Sequence, residues 1–108
     1  MVAPVVLPDG AVIKKMKCYY YDKSTMNSNI NVDFVRSLTT ANSVDELIDL
    51  VGDNTPSSGY GSVEGTLSET VNNNGAIYII RAMTTNGWDG MYILLFSVEI
   101  TYTVNTVE

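Results

Sequence analysis

From Tyr92 to Val104 the chain alternates with a period of two. Tyr92, Leu94, Phe96, Val98, Ile100, Tyr102 and Val104 fall on one side, and Ile93, Leu95, Ser97, Glu99, Thr101 and Thr103 on the other. Successive side chains of a strand point to opposite faces, so this pattern demands a β-strand with one face turned to a core. Thirteen residues exceed the usual strand length, which predicts a bend or bulge near Ser97.

The same period recurs upstream, in short runs separated by turn residues. Ala11–Tyr21 places Met16, Cys18 and Tyr20 on one face and Lys15, Lys17, Tyr19 and Tyr21 on the other. Adjacent Lys14 and Lys15 break the alternation, so a bulge lies there or the strand starts after them. Ile30, Val32 and Phe34 alternate with Asn31, Asp33 and Val35. Arg36 falls in the inward register, at a strand end with its head in solvent or paired to an acid. Ala76–Met83 is apolar on both sides, so both of its faces need a cover. Val63–Val71 is a weaker strand broken by Gly65, and Pro4–Leu7 suits a first strand that covers a sheet edge. Pro8-Asp9-Gly10, Asn72-Asn73-Asn74-Gly75 and Asn86-Gly87-Trp88-Asp89-Gly90 are turn signals, and 22–29 and 53–61 are loops by composition.

Residues 43–52 carry two readings. Ser43-Val44-Asp45-Glu46 is a capping box, and Val44, Leu47, Ile48 and Val51 have helical spacing with Gly52 as terminator. The same stretch alternates as a strand, with Val44, Glu46, Ile48 and Leu50 on one side. The expected architecture is therefore a single all-β domain over 1–108. It is an antiparallel, jelly-roll-like sandwich of six to eight strands, with strand or short helix open at 44–51.

Composition narrows the chemistry. With no histidine and one cysteine, Cys18, the chain lacks the parts for a Ser-His-Asp or Cys-His centre, a Cys/His zinc site or an internal disulfide. Twelve acids against six bases oppose nucleic-acid binding. No apolar run approaches the ~18 residues of a membrane helix, and no basic stretch precedes the apolar start as a targeting signal would require. Charge is split along the chain. Residues 1–37 hold five bases and three acids, and the remainder holds Arg81 against nine acids. Two oppositely charged faces within one fold account for this, as would a complementary contact between subunits.

Candidate sites are few. Gly59-x-Gly61-x-x-x-Gly65 fits neither a dinucleotide fingerprint nor a P-loop and reads as a flexible loop. Asp45, Glu46, Asp49, Asp53 and Asn54 form the densest acidic stretch. Its spacing is not that of an EF-hand, and it reads as a solvated face, so no metal site, catalytic residue or cofactor is assigned. Cys18 reads as a small buried hydrophobe. Tyr19, Tyr21, Tyr60 and Trp88 are the side chains suited to stacking on a sugar or burying at an interface. Ile77, Ile79, Ile93 and Leu95 are the apolar residues left on outward faces.

Leu7-Pro8-Asp9-Gly10-Ala11, then Tyr19-Tyr20-Tyr21-Asp22, and a close on Ile100-Thr101-Tyr102 together form a loose pattern. It resembles the β-sandwich modules at the ends of uncharacterised bacterial secreted and surface proteins and of some phage fibre-like proteins. The resemblance spans residues 5–103 and rests on turn and core residues. It implies a jelly-roll-like sandwich, trimeric assembly, an extracellular, surface or phage-particle location, and no assigned activity. The expectation is a non-catalytic structural module whose partner is a second copy of itself. The alternative is a carbohydrate-binding or adhesin module using the exposed tyrosines and Trp88.

Overall fold

The computed structural model describes residues 2–22, 29–38, 43–52, 59–84 and 93–104, with the side chains of Ile93, Leu94 and Phe96 left out. These residues form seven strands: β1 (Val2–Val5), β2 (Val12–Asp22), β3 (Ile30–Leu38), β4 (Val44–Val51), β5 (Tyr60–Thr70), β6 (Ala76–Thr84) and β7 (Ile93–Thr103). Every pairing is antiparallel. One sheet has the order β1-β6-β3-β4, the other β5-β2-β7. The chain changes sheet at each connection except β3–β4, the winding of a jelly-roll-like sandwich.

The core fills the gap between the sheets. Ile13, Met16, Cys18 and Tyr20 of β2 face Ile30, Val32 and Phe34 of β3 and Tyr78, Ile80 and Ala82 of β6, all buried. Phe34 and Tyr78 stack with ring centroids 5.9 Å apart. Burial pushes the Cys18 thiol up to about 11, so at neutral pH it stays protonated and unreactive.

Keeping apolar residues inward over long strands requires the alternation to be re-phased. On β2 the irregularity lies between Ile13 and Lys15, where the doubled lysines break the pattern. Residues 44–51 are a strand and not a helix, and β4 has its own irregularity. Phe34 pairs with Ile48 but Val35 with Glu46, leaving Leu47 as the extra residue. Val44 and Glu46 consequently face outward while Leu50 is buried, so the four residues expected on one side divide between two. On β7 the pairing shifts between Ser97 and Leu95, at the expected place. Beyond it Leu95 packs partly buried against the core. The sequence places Leu95 on the outward face; the bulge reverses that face.

Two turns expected from sequence clasp each other. The Asp9 carboxylate accepts from the Asn73 amide at 2.8 Å, and the Asn73 side-chain amide donates to the Leu7 carbonyl at 2.9 Å. Gly10 sits at φ 82°, where a Cβ would be strained, and its amide donates to the Val71 carbonyl. The first strand is found at Val2–Val5 rather than Pro4–Leu7, paired with β6 at a sheet edge, where a proline's missing N–H is tolerated.

The Gly59–Gly65 stretch is not a flexible loop. Gly61 and Gly65 lie within β5, where a Cβ on Gly61 would stand 2.8 Å from the Tyr20 ring. One on Gly65 would stand 2.6 Å from the end of Ile48. The glycines therefore make room for inward side chains of β2 and β4.

Truncating Phe34 to alanine should destabilise the fold by about 3–5 kcal/mol, the usual cost of removing a fully buried ring. Urea unfolding of the variant checks this. A loss under about 1 kcal/mol would place the ring outside the core.

Candidate functional site

Three surfaces hold the groups able to recognise something. The first lies between the sheets at one end of the sandwich. β3, β4, β5 and β6 bring Arg36, Asp45, Glu69 and Tyr78 together there. Arg36 stands opposite Asp45 and Tyr78 in the inward register, as its sequence position requires. Its Nη1 donates to Glu69 at 2.7 Å and its Nη2 to Asp45 at 2.8 Å. The Tyr78 hydroxyl donates to Glu69 at 3.1 Å and accepts from the Asn72 amide at 3.0 Å. Arg36, Glu69, Asn72 and Tyr78, with Leu38, Ser68, Thr70 and Ala76, line an open cleft of about 420 Å³. Hydrogen bonds to Asp45 and Glu69 hold the Arg36 guanidinium charged, raising its pKa. Both terminal nitrogens are occupied, so the cluster ties the two sheets together and has little left to offer an anion.

The second is the outer face of the four-stranded sheet. Register sorts its outward residues into rows across the strands. Ile77, Ser37 and Val44 make one row; Pro4, Ile79, Val35 and Glu46 the next; Val2, Arg81, Asp33 and Asp49 the third. The first two rows are apolar or neutral apart from Glu46. Ile77 is 54% exposed and Val44 58%, and Ile79 is half-buried. In the third row Arg81 Nη2 donates to Asp33 Oδ2 at 3.2 Å, and Asp49 lies directly across from Asp33 on β4. Directly opposed like charges repel. Asp49 therefore keeps its proton to a higher pH than an ordinary carboxyl: its pKa rises to about 6 through its side-chain approach to Asp33, then desolvation, then the charges of Asp33 and Glu46.

The third is the outer face of β5-β2-β7, which carries Tyr19, Tyr21 and Tyr60. β2 supplies the first two, two residues apart, and pairing sets Tyr60 opposite Tyr21. Those rings meet edge to face at 4.9 Å, and Tyr60 is 59% exposed. Lys17 lies 5.0 Å from the centre of the Tyr19 ring, and the Tyr19 hydroxyl donates to Glu99 at 3.4 Å. Among the described side chains the rest of this face is Ser, Thr, Lys and Glu apart from Val12 at its far end, and includes a Lys15–Glu64 pair at 3.2 Å.

The structure thus joins three of the four aromatic candidates; Trp88 lies outside the described residues. Of the apolar four, Ile77 and Ile79 share the outer face of the four-stranded sheet. Leu95 turns to the core, and the side chain of Ile93 is outside the described set. The acidic stretch divides. Asp45 turns inward to Arg36, Glu46 and Asp49 turn outward beside Asp33, and Asp53 and Asn54 are outside the described residues. Sequence reasoning missed the Asp33–Asp49 pairing, which a β3–β4 hairpin register would have revealed. Comparison with protein-family models, curated proteins and solved structures finds no match.

The opposed carboxylates make stability depend on pH with a definite sign. A raised folded-state pKa means that Asp49 weakens the fold as pH climbs from about 4 through about 6. In chelator-treated buffer Asp49→Asn should stabilise at pH 7.5. The gain should stay under about 1 kcal/mol because the side chain is exposed and screened. It should vanish at pH 3.5, where the native carboxyl is already protonated. Melting curves at both pH values check this; an equal shift at both would remove the carboxylate repulsion.

Proposed function

We propose that the protein is a non-catalytic structural module that self-associates through the outer face of its four-stranded sheet. The observation that carries this reading is β6. Its inner residues are covered by the second sheet, while Ile77 and Met83 stand exposed on its other side and Ile79 is half-covered. Ile77, Val44, Pro4 and Ile79 make an apolar patch bounded by Glu46 and by the Arg81–Asp33–Asp49 row, beyond which Met83 stands apart, and such a patch favours a protein contact. A second copy suits it because the Ile77 and Ile79 rows carry one charge between them, Glu46. Copies packed through it meet with few like charges opposed, and a heterologous contact of this kind closes into a ring. The resemblance to bacterial surface and phage fibre-like modules supports the same reading and makes a trimer the expected assembly.

Sedimentation equilibrium at micromolar concentration tests it. Wild type should exceed the 11.8 kDa of one chain. Ile77→Asp should lower the mass toward that of one chain while shifting stability by less than about 1 kcal/mol, because the position is exposed. A wild-type monomer would overturn the proposal.

A second reading rests on the tyrosine strip. Tyr19, Tyr21 and Tyr60 on a hydrophilic face fit a shallow carbohydrate-binding platform, where aromatic faces cover the apolar side of a sugar. On a glycan array wild type should bind and Tyr60→Ala should bind about tenfold more weakly, in line with one lost aromatic contact. An array without any hit removes this reading and leaves the first untouched.

A further inference from the structure

We propose that Asp33, Glu46 and Asp49 form a binding site for a divalent, oxygen-seeking cation of the Ca2+ type on the outer face of β3 and β4. One carboxylate oxygen from each lies within 4.8 Å of the others. A cation about 2.4 Å from each oxygen spans that separation, with water filling the remaining positions of a six- to eight-fold shell.

Proximity of acids alone would describe a solvated face, but Asp33 is not solvated. It is 4% exposed, and its Oδ1 is enclosed without a hydrogen-bond partner. Arg81 approaches from β6 and takes Oδ2 only. β4 brings Asp49 to the other side of Asp33. Two residues along the same face, Asn31 Oδ1 is likewise enclosed and without a partner. A buried acceptor left unpaired is costly, and a bound cation removes that cost.

Charge balance points the same way. In the cleft, one arginine meets Asp45 and Glu69 through both terminal nitrogens at 2.7 and 2.8 Å. On the outer face three carboxylates share one arginine, held by a single longer contact of 3.2 Å. Two negative charges remain, the amount a divalent ion neutralises. All three carboxylates belong to one chain, so the site does not depend on self-association.

Calorimetric titration of chelator-treated protein with CaCl2 tests the site, with thermal melts in parallel. One ion per chain should bind with Kd of roughly 0.1–1 mM, as in weak extracellular sites, and the melting temperature should rise. Asp49→Asn and Glu46→Gln replace exposed side chains and should fold. The first should weaken binding by about tenfold or more and the second several-fold. Glu64→Gln, on the opposite sheet, should leave binding unchanged. Repeating the titration on Ile77→Asp separates this proposal from the assembly reading, because a monomeric variant should bind equally well. The proposal is overturned by the absence of heat and of any melting shift at about 10 mM CaCl2. It is equally overturned if NaCl of matched ionic strength reproduces the shift, or if Asp49→Asn binds like wild type.

Discussion

Everything in this sandwich depends on holding inward side chains in phase across two sheets. A strand's faces swap with every residue, so one unpaired residue reverses all that follows it. The irregularity at Lys14 lets both Ile13 and Met16 reach the core from one strand. Leu47 and the shift before Ser97 serve β4 and β7 in the same way. Without them the long strands would turn half of their apolar residues to water.

The bulges also explain which parts of the fold were legible. Alternation and turn residues gave the strands and most of their faces, and two adjacent lysines announced the first bulge. Nothing announced the second. Glu46 is the one acid in the series Val44, Glu46, Ile48 and Leu50, but a single polar residue near a strand end does not mark a bulge, and the helical capping signals compete with the alternation locally. On β7 the neighbours Leu94 and Leu95 are chemically alike, so the side chains do not reveal which faces inward. Gly61 and Gly65 misled for a related reason. A glycine in a strand looks like a break until the ring or branched chain that occupies its space is known.

Sites were less legible than strands because they are made by pairing. Tyr19 and Tyr21 share a face by spacing alone, but Tyr60 joins them only through the β2–β5 register. Arg36 could be read as inward and near an acid, yet Glu69 reaches it from the other sheet. Asp33 looked like an ordinary outward polar residue. The register that sets it between Arg81 and Asp49 is what makes it buried and charged at once.

The winding has a kinetic consequence. Among the described strands only β3 and β4 pair with a neighbour in sequence. Edge strand β1 closes on β6, with Val2 opposite Arg81. Joining segments so far apart costs loop entropy before any burial rewards it. Refolding should therefore be slow for so small a chain. The β3–β4 hairpin is the element able to form first, with the amino-terminal strand waiting until nearly the whole polypeptide is in place.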